Sequence, residues 1–192
     1  MRDKLEAIQS LLELEEKMDI YEQSIHNFKI KTFKNKKEKL VSTLVHDQKW
    51  HRYNLYRHYC LMFKWKDKNY IFYLFHYFRY AREATITNIQ IRTDVFIENL
   101  QFNHYAIVVN QGAVIGKNVT LVGNNCIGGD DKGAPTIGSD VFIGYGAIVL
   151  GNIKVANCVK IGGGALVTKD VLEEGVTVVG INKIVGEKAK SK

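Results

Sequence analysis

The chain has 192 residues, 46% of them hydrophobic, and a formal net charge of +7. Such a chain can fold around one good core or two small ones. It has no run of about eighteen apolar residues, which excludes a helical membrane span, and its three widely spaced cysteines, an odd number, make no disulfide framework.

The N-terminus reads "MRDKLEAIQS", a charged helical pattern without a signal-peptide core, so a cytoplasmic protein with buried thiols is expected. Leu5, Ile8, Leu11, Leu12 and Met18 recur at helical steps, with Asp3 as the N-cap. The basic stretch "KIKTFKNKKEK" at 29–39 reads as a solvated face or loop. Residues 1–88 hold 17 Lys+Arg against 11 Asp+Glu, a balance of +6, which leaves +1 for residues 89–192. Attraction to an anionic substrate or membrane surface is the sharper reading of this excess. No nucleic-acid motif accompanies it. A second helix is predicted within 38–63, with Leu40, Val41, Leu44, Val45, Leu55, Tyr59 and Met62 as its apolar positions. A third, over about 69–83, places Ile71, Leu74, Phe75 and Phe78 on one face. The aromatic residues here read as helix-packing core rather than a cofactor site. Residues 1–88 are thus expected to form an α-helical region.

From residue 89 the period changes. Every sixth position is occupied by Ile91, Ile97, Asn103, Val109, Ile115, Leu121 and Ile127. After a step of ten across "GGDDKGAP" the series resumes with Ile137, Ile143, Val149, Val155, Ile161 and Val167. Asn103 is the one non-aliphatic member. A six-residue repeat suits short flat strands joined by tight corners, three strands and eighteen residues per coil. Each aliphatic residue then points inward and stacks on its equivalent one coil away, about 4.8 Å distant. Glycine and asparagine supply the corner conformations. The insertion, which holds the chain's only proline, marks an outward loop.

"IGKNVT", "IGSDVF", "IGYGAI" and "IGGGALVTKDV", followed by "EEGVTVVGINKIV", carry a resemblance to the hexapeptide-repeat acyltransferase family over about 89–186. The resemblance implies a mainly β fold, a left-handed parallel β-helix of four to five coils, after the helical region and before a basic tail at 187–192. Within the family, "NHYAIVVN" resembles serine acetyltransferases and the O-acetyltransferases of surface polysaccharides.

Acetyl transfer to a hydroxyl needs a base, and imidazole has a suitable pKa at neutral pH. His104 is the only histidine of the repeat region, and the resemblance puts the family's catalytic histidine on it. Asn103, Asn110 or a backbone N–H would stabilise the tetrahedral intermediate, and Asp94 is a carboxylate in the same coil available to orient the imidazole. The resemblance implies acetyl-CoA as co-substrate, in a groove between neighbouring β-helices of a homotrimer or a dimer of trimers. Tyr145 and Gly163, eighteen residues apart, should stack one coil apart and line the pantetheine arm, with Gly129 continuing the same edge. Thr168 and Lys169 match positions at the nucleotide end, where Lys169 meets a phosphate. No metal is required, and one histidine does not make a three-histidine zinc site.

The family commonly has an aspartate before the histidine, where this chain has Asn103, and a second aspartate near Gln90. Ala134 stands where serine acetyltransferases place a histidine, and the chain ends "EKAKSK" rather than on an aliphatic residue. These departures favour a sugar hydroxyl of a cell-surface polysaccharide as acceptor. Serine is the alternative acceptor, and a non-catalytic trimeric scaffold or binding protein is the competing class.

Overall fold

Among the described residues, four helices each begin where an Asp or Asn side chain accepts hydrogen bonds from the first free backbone amides. The computed structural model describes residues 19–185 except 93 and 95. Asp19 caps α1 (Ile20–Thr32), Asn35 caps α2 (Lys36–Val45), Asp47 caps α3 (Gln48–Trp65) and Asn69 caps α4 (Tyr70–Thr87). The helix expected from Leu5 to Met18, its Asp3 cap and the basic tail at 187–192 lie outside the described residues. The helix predicted over 38–63 is two helices. His46 turns into the left-handed region with φ of 51°, and Asp47 starts the next helix. The basic stretch 29–39 is not one loop: it contains the end of α1 and the start of α2.

The apolar face predicted on the third helix is not its buried face. On α4, Ile71, Phe75 and Phe78 are exposed, and His76, Tyr80, Glu83 and Thr87 are buried. The segment "YIFYLFHYFRY" is apolar around most of the helix, so periodicity could not select the side that packs. Polar contacts mark it instead, since His58 and His76 bond through Nδ1 atoms 2.9 Å apart across α3 and α4. Leu40, Val41, Leu44 and Val45 are likewise exposed, while Leu55 and Tyr59 are fully buried. Of the cysteines only Cys60 is buried; Cys126 is partly exposed and Cys158 exposed.

The second half winds through three sheets. One face comprises β1 (Ile89–Ile91), β3 (Ile107–Val109), β6 (Cys126–Gly128), β9 (Ile148–Leu150) and β12 (Leu166–Val167). A second has β4 (Val114–Ile115), β7 (Thr136–Ile137) and β10 (Lys154–Val155). The third has β2 (Gln101–Phe102), β5 (Thr120–Leu121), β8 (Phe142–Ile143), β11 (Lys160–Ile161), β13 (Thr177–Val179) and β14 (Lys183–Val185). Neighbours pair in parallel, except that β14 turns back antiparallel on β13. This is a parallel β-helix of about five coils. Ile89 faces Ile107 and Val149 faces Val167, each eighteen residues on, while Ile127 faces Val149 across twenty-two. The four extra residues make a tight turn in which the amides and carbonyls of Asp130 and Gly133 bond to each other.

Asn103 does not occupy the inward place that the sixfold count gave it. Phe102 pairs with Leu121 and is buried, and Asn103 is exposed. The register slips by one because Phe102 packs on Phe28 and Tyr56 of the helices, with ring centroids 4.9 and 6.0 Å away.

The first coil would end in unpaired backbone groups, and tyrosines from the helices satisfy several of them. Tyr56 donates to the Ile97 carbonyl at 3.2 Å and accepts from the Leu100 amide at 3.1 Å. The Tyr59 hydroxyl accepts from the Ile97 amide, and Tyr80 meets both the amide and carbonyl of Ile91 at 2.9 Å. Tyr56→Phe keeps the ring and removes both bonds. It is expected to lower stability by about 1–3 kcal/mol, because a buried group left unmatched costs that much; the urea midpoint should fall with an unchanged m-value.

Burial, with Arg57, His76 and Arg79 adding to it, lowers the pKa of His58 from 6.5 to about 3. Between those values the unfolded chain binds a proton that the folded chain does not. Stability therefore falls as pH falls through that window, by up to about 1.4 kcal/mol per pH unit for this one group. Thermal melts from about pH 7 to 4 should show the decline, with a slope shallower by about one proton in His58→Phe.

Candidate active site

His104 lies on the corner between β2 and β3, and the corner is built by stacking coil on coil. The Asn103 amide donates to the Leu121 carbonyl, Asn124 to Tyr105, Gly146 to Gly123 and Gly164 to Tyr145. One edge of the prism thus carries His104, Gly123, Tyr145 and Gly163. Gly123 has φ of +141°, and a Cβ added there would stand 2.5 Å from the His104 Cβ. The absent side chain makes room for the imidazole. The Tyr145 ring meets that of His104 edge-on, with centroids 6.0 Å apart.

Asn125 supports this corner from inside. It is 2% exposed; its Oδ1 accepts from the Gly123 amide at 2.8 Å and its Nδ2 donates to the Gly144 carbonyl at 2.7 Å. Sequence reasoning missed it. The doubled asparagine in "GNNCIG" was the available signal, since one asparagine suffices for a left-handed corner and Asn124 is that one, with φ of 50°.

Of the expected catalytic set, only Asn103 adjoins His104. Asp94 and Asn110 stand at the opposite end of β3: Asp94 accepts from Gln111 Nε2 at 3.2 Å, and Asn110 Oδ1 accepts from the Gly112 amide at 3.0 Å. Strand β3 separates them from the imidazole by three residues, about 10 Å of extended chain. Asp94 therefore does not orient His104, and the Asn110 amide oxygen is committed to its own turn. Gln90 lines a cavity of about 650 Å³ beneath α4, with Tyr73, Tyr77, Arg92 and Gln111. That cavity lies on the Gln111 side and not at His104.

The expected cofactor residues divide in the same way. Tyr145 and Gly163 stack one coil apart, with a Cβ on Gly163 falling 3.2 Å from the Tyr145 carbonyl oxygen. Gly129 does not continue that edge. It sits with Thr168, Leu150 and Gly151 around a cavity of about 430 Å³ at the far corner of the same sheet face. The miscount arose because Gly129 follows β6, whereas Tyr145 and Gly163 precede β9 and β12. The Thr168 amide and hydroxyl are both bonded to Asn182, at 2.7 and 2.9 Å. Lys169 is exposed beside it. Among the described residues no group of three or more His, Cys, Asp or Glu could hold a metal ion.

Next to His104, Tyr105 leans on the helices. Burial raises the pKa of its phenol, and Arg52 opposes the shift. The nearby Glu83 is 1% exposed and receives His51 Nδ1 at 2.7 Å.

No family model matches the chain. Over 92 residues it is 40% identical to the serine acetyltransferase of Buchnera aphidicola from Acyrthosiphon pisum, covering 45% of this chain and 33% of the relative. Over 121 residues it is 33% identical to the serine acetyltransferase of Mycobacterium tuberculosis, covering 59% and 53%. Its fold is similar to the crystal structure of Brucella abortus serine acetyltransferase in complex with coenzyme A. The TM-score is 0.57 at 31% identity, over 69% of this chain and 54% of that one. The chain thus spans about half or less of the length of these relatives. It resembles the hexapeptide-repeat acetyltransferases and, among them, serine acetyltransferases. That similarity overturns the expectation of a polysaccharide sugar as acceptor. The expectation rested on a few corner residues, and these weigh less than identity spread over some ninety positions.

Proposed function

We propose that this protein is an acetyl-CoA-dependent O-acetyltransferase with the hydroxyl of serine as its acceptor. One observation carries the reading: the sole imidazole of the coil stack stands exposed on an edge, with Gly123 making room for it and Tyr145 beside it. The similarity to serine acetyltransferases supports the choice of donor and acceptor.

In this reading His104 takes the proton of the serine hydroxyl as its oxygen attacks the thioester carbonyl. The C–S bond then breaks, and the imidazolium returns the proton to the departing sulfur. The products are O-acetylserine and the free thiol of coenzyme A. A corner amide, from Asn103 or the backbone, faces the oxyanion. Tyr145 and Gly163 line the pantetheine arm along the His104 edge. Gly129, Thr168 and Lys169 form a second contact at the far corner. The reading includes a division of the chain after residue 88 and a homotrimer, or a dimer of trimers, in the cytoplasm. The exposed Val108, Ile148 and Leu150 on one sheet face support the assembly.

The test is thiol release from acetyl-CoA with L-serine against other hydroxyl acceptors, with the product identified by mass. Serine-dependent release with O-acetylserine as product is the expected result. Release indifferent to serine, or binding of coenzyme A without turnover, overturns the proposal.

A further inference from the structure

A basic cavity of about 360 Å³ opens where the helices meet the first coil. Lys31, Lys49 and Arg52 line it from the helices, Lys34 from the turn between α1 and α2, and Gln101 and Asn103 from the coil; no carboxylate is among its lining residues. Glu38 pairs with Lys49. Lys31, Lys34 and Arg52 make no ion pair among the described residues.

Two donors at this cavity are unmatched. Arg52 Nε and Gln101 Nε2 are both buried without a hydrogen-bond partner, and Gln101 is only 7% exposed. Buried donors are nearly always paired in folded proteins, and a charged one is the costliest to leave alone. The pair comes from different elements, α3 and β2, so no turn or cap accounts for it. A guanidinium beside an amide N–H suits a group with two or more anionic oxygens.

We propose that this cavity is an oxyanion site that takes a carboxylate or a phosphate group, with Arg52 and Gln101 as its buried donors and Lys31 and Lys34 at its mouth. Asn103 forms part of the wall, and His104 is the next residue of the chain. The charged end of an acceptor would be held there while its hydroxyl faces His104. That last assignment rests on the acetyl-transfer reading; the oxyanion site does not.

The test is an NMR titration of the full chain, following the Arg52 Nε–H and Gln101 side-chain amide signals. The probes are inorganic phosphate and acetate, against chloride at equal ionic strength. Saturable shifts beyond chloride are expected with at least one probe, and phosphate alone or acetate alone identifies the group the site prefers. Affinity should fall at least tenfold in Lys34→Glu, an exposed change that leaves the core intact, and vanish in Arg52→Gln combined with Gln101→Leu. No saturation beyond chloride, or equal affinity in both variants, overturns the site. In turnover, Lys34→Glu should raise KM for serine at least tenfold with KM for acetyl-CoA unchanged. An unaltered serine KM overturns the link to the acceptor. Anion binding without any acetyl transfer overturns the acetyl-transfer reading and leaves the site standing.

Discussion

His104→Ala is expected to lower kcat for acetyl transfer by about a thousandfold, within the range that one positioned acid–base group contributes. That factor corresponds to about 4 kcal/mol of transition-state stabilisation. The side chain is exposed on a corner, and its ring contact in the fold is the edge of Tyr145. Thermal stability should therefore change by no more than about 0.5 kcal/mol. KM for acetyl-CoA should stay near the wild-type value, since the imidazole acts on the acceptor proton. Circular dichroism and steady-state kinetics on the same preparation separate the two effects. A variant that is folded and retains wild-type turnover would remove His104 from the chemistry.

Gly123→Ala should have the second largest effect on rate, although residue 123 is not proposed to touch either substrate. Its added Cβ would stand 2.5 Å from the His104 Cβ, at a backbone angle that L residues resist. The imidazole has to move, and a displacement of about 1 Å can cost a hundredfold in rate. The proper control lies two coils on along the same edge. Gly164 also has positive φ, but a Cβ there meets nothing within 4 Å. Gly164→Ala also puts an alanine at positive φ, though at the milder 67°, without reaching the histidine. A hundredfold loss of kcat in Gly123→Ala, with Gly164→Ala close to wild type, is the expected result. Equal losses in both would mean that strain alone is responsible.

Much of the β-helix was legible because its signal is collective. Twelve of thirteen aliphatic positions at one spacing leave few architectures open, and the step of ten located the inserted turn. The thirteenth position misled for a physical reason. At Asn103 the first coil meets the helices, and Phe102 takes the inward place by packing on Phe28 and Tyr56. A repeat reports on a residue's neighbours within the stack and is silent about a foreign surface. The same limit explains α4, whose rings lie on nearly every side, and the cavity shared by Arg52 and Gln101, which exists only once a helix docks on a strand. His104 was legible because it is alone. Its surroundings were not, because the corner that frames it is assembled from residues nineteen and more positions apart.

The tyrosine hydroxyls on the first coil and the reversed strand β14 at the other end have a consequence for the molecule in solution. A stack of parallel coils is a periodic lattice with two growing ends, and each exposed end is a template on which another copy's terminal coil could seat. Hydroxyls that occupy the amides and carbonyls of Ile91 and Ile97 leave that template less to offer, and a strand running the wrong way cannot extend a parallel lattice. The helices that frame the histidine corner therefore also cap one end of the coil lattice, as β14 caps the other, and both caps disfavour end-to-end growth of a repetitive chain into fibres.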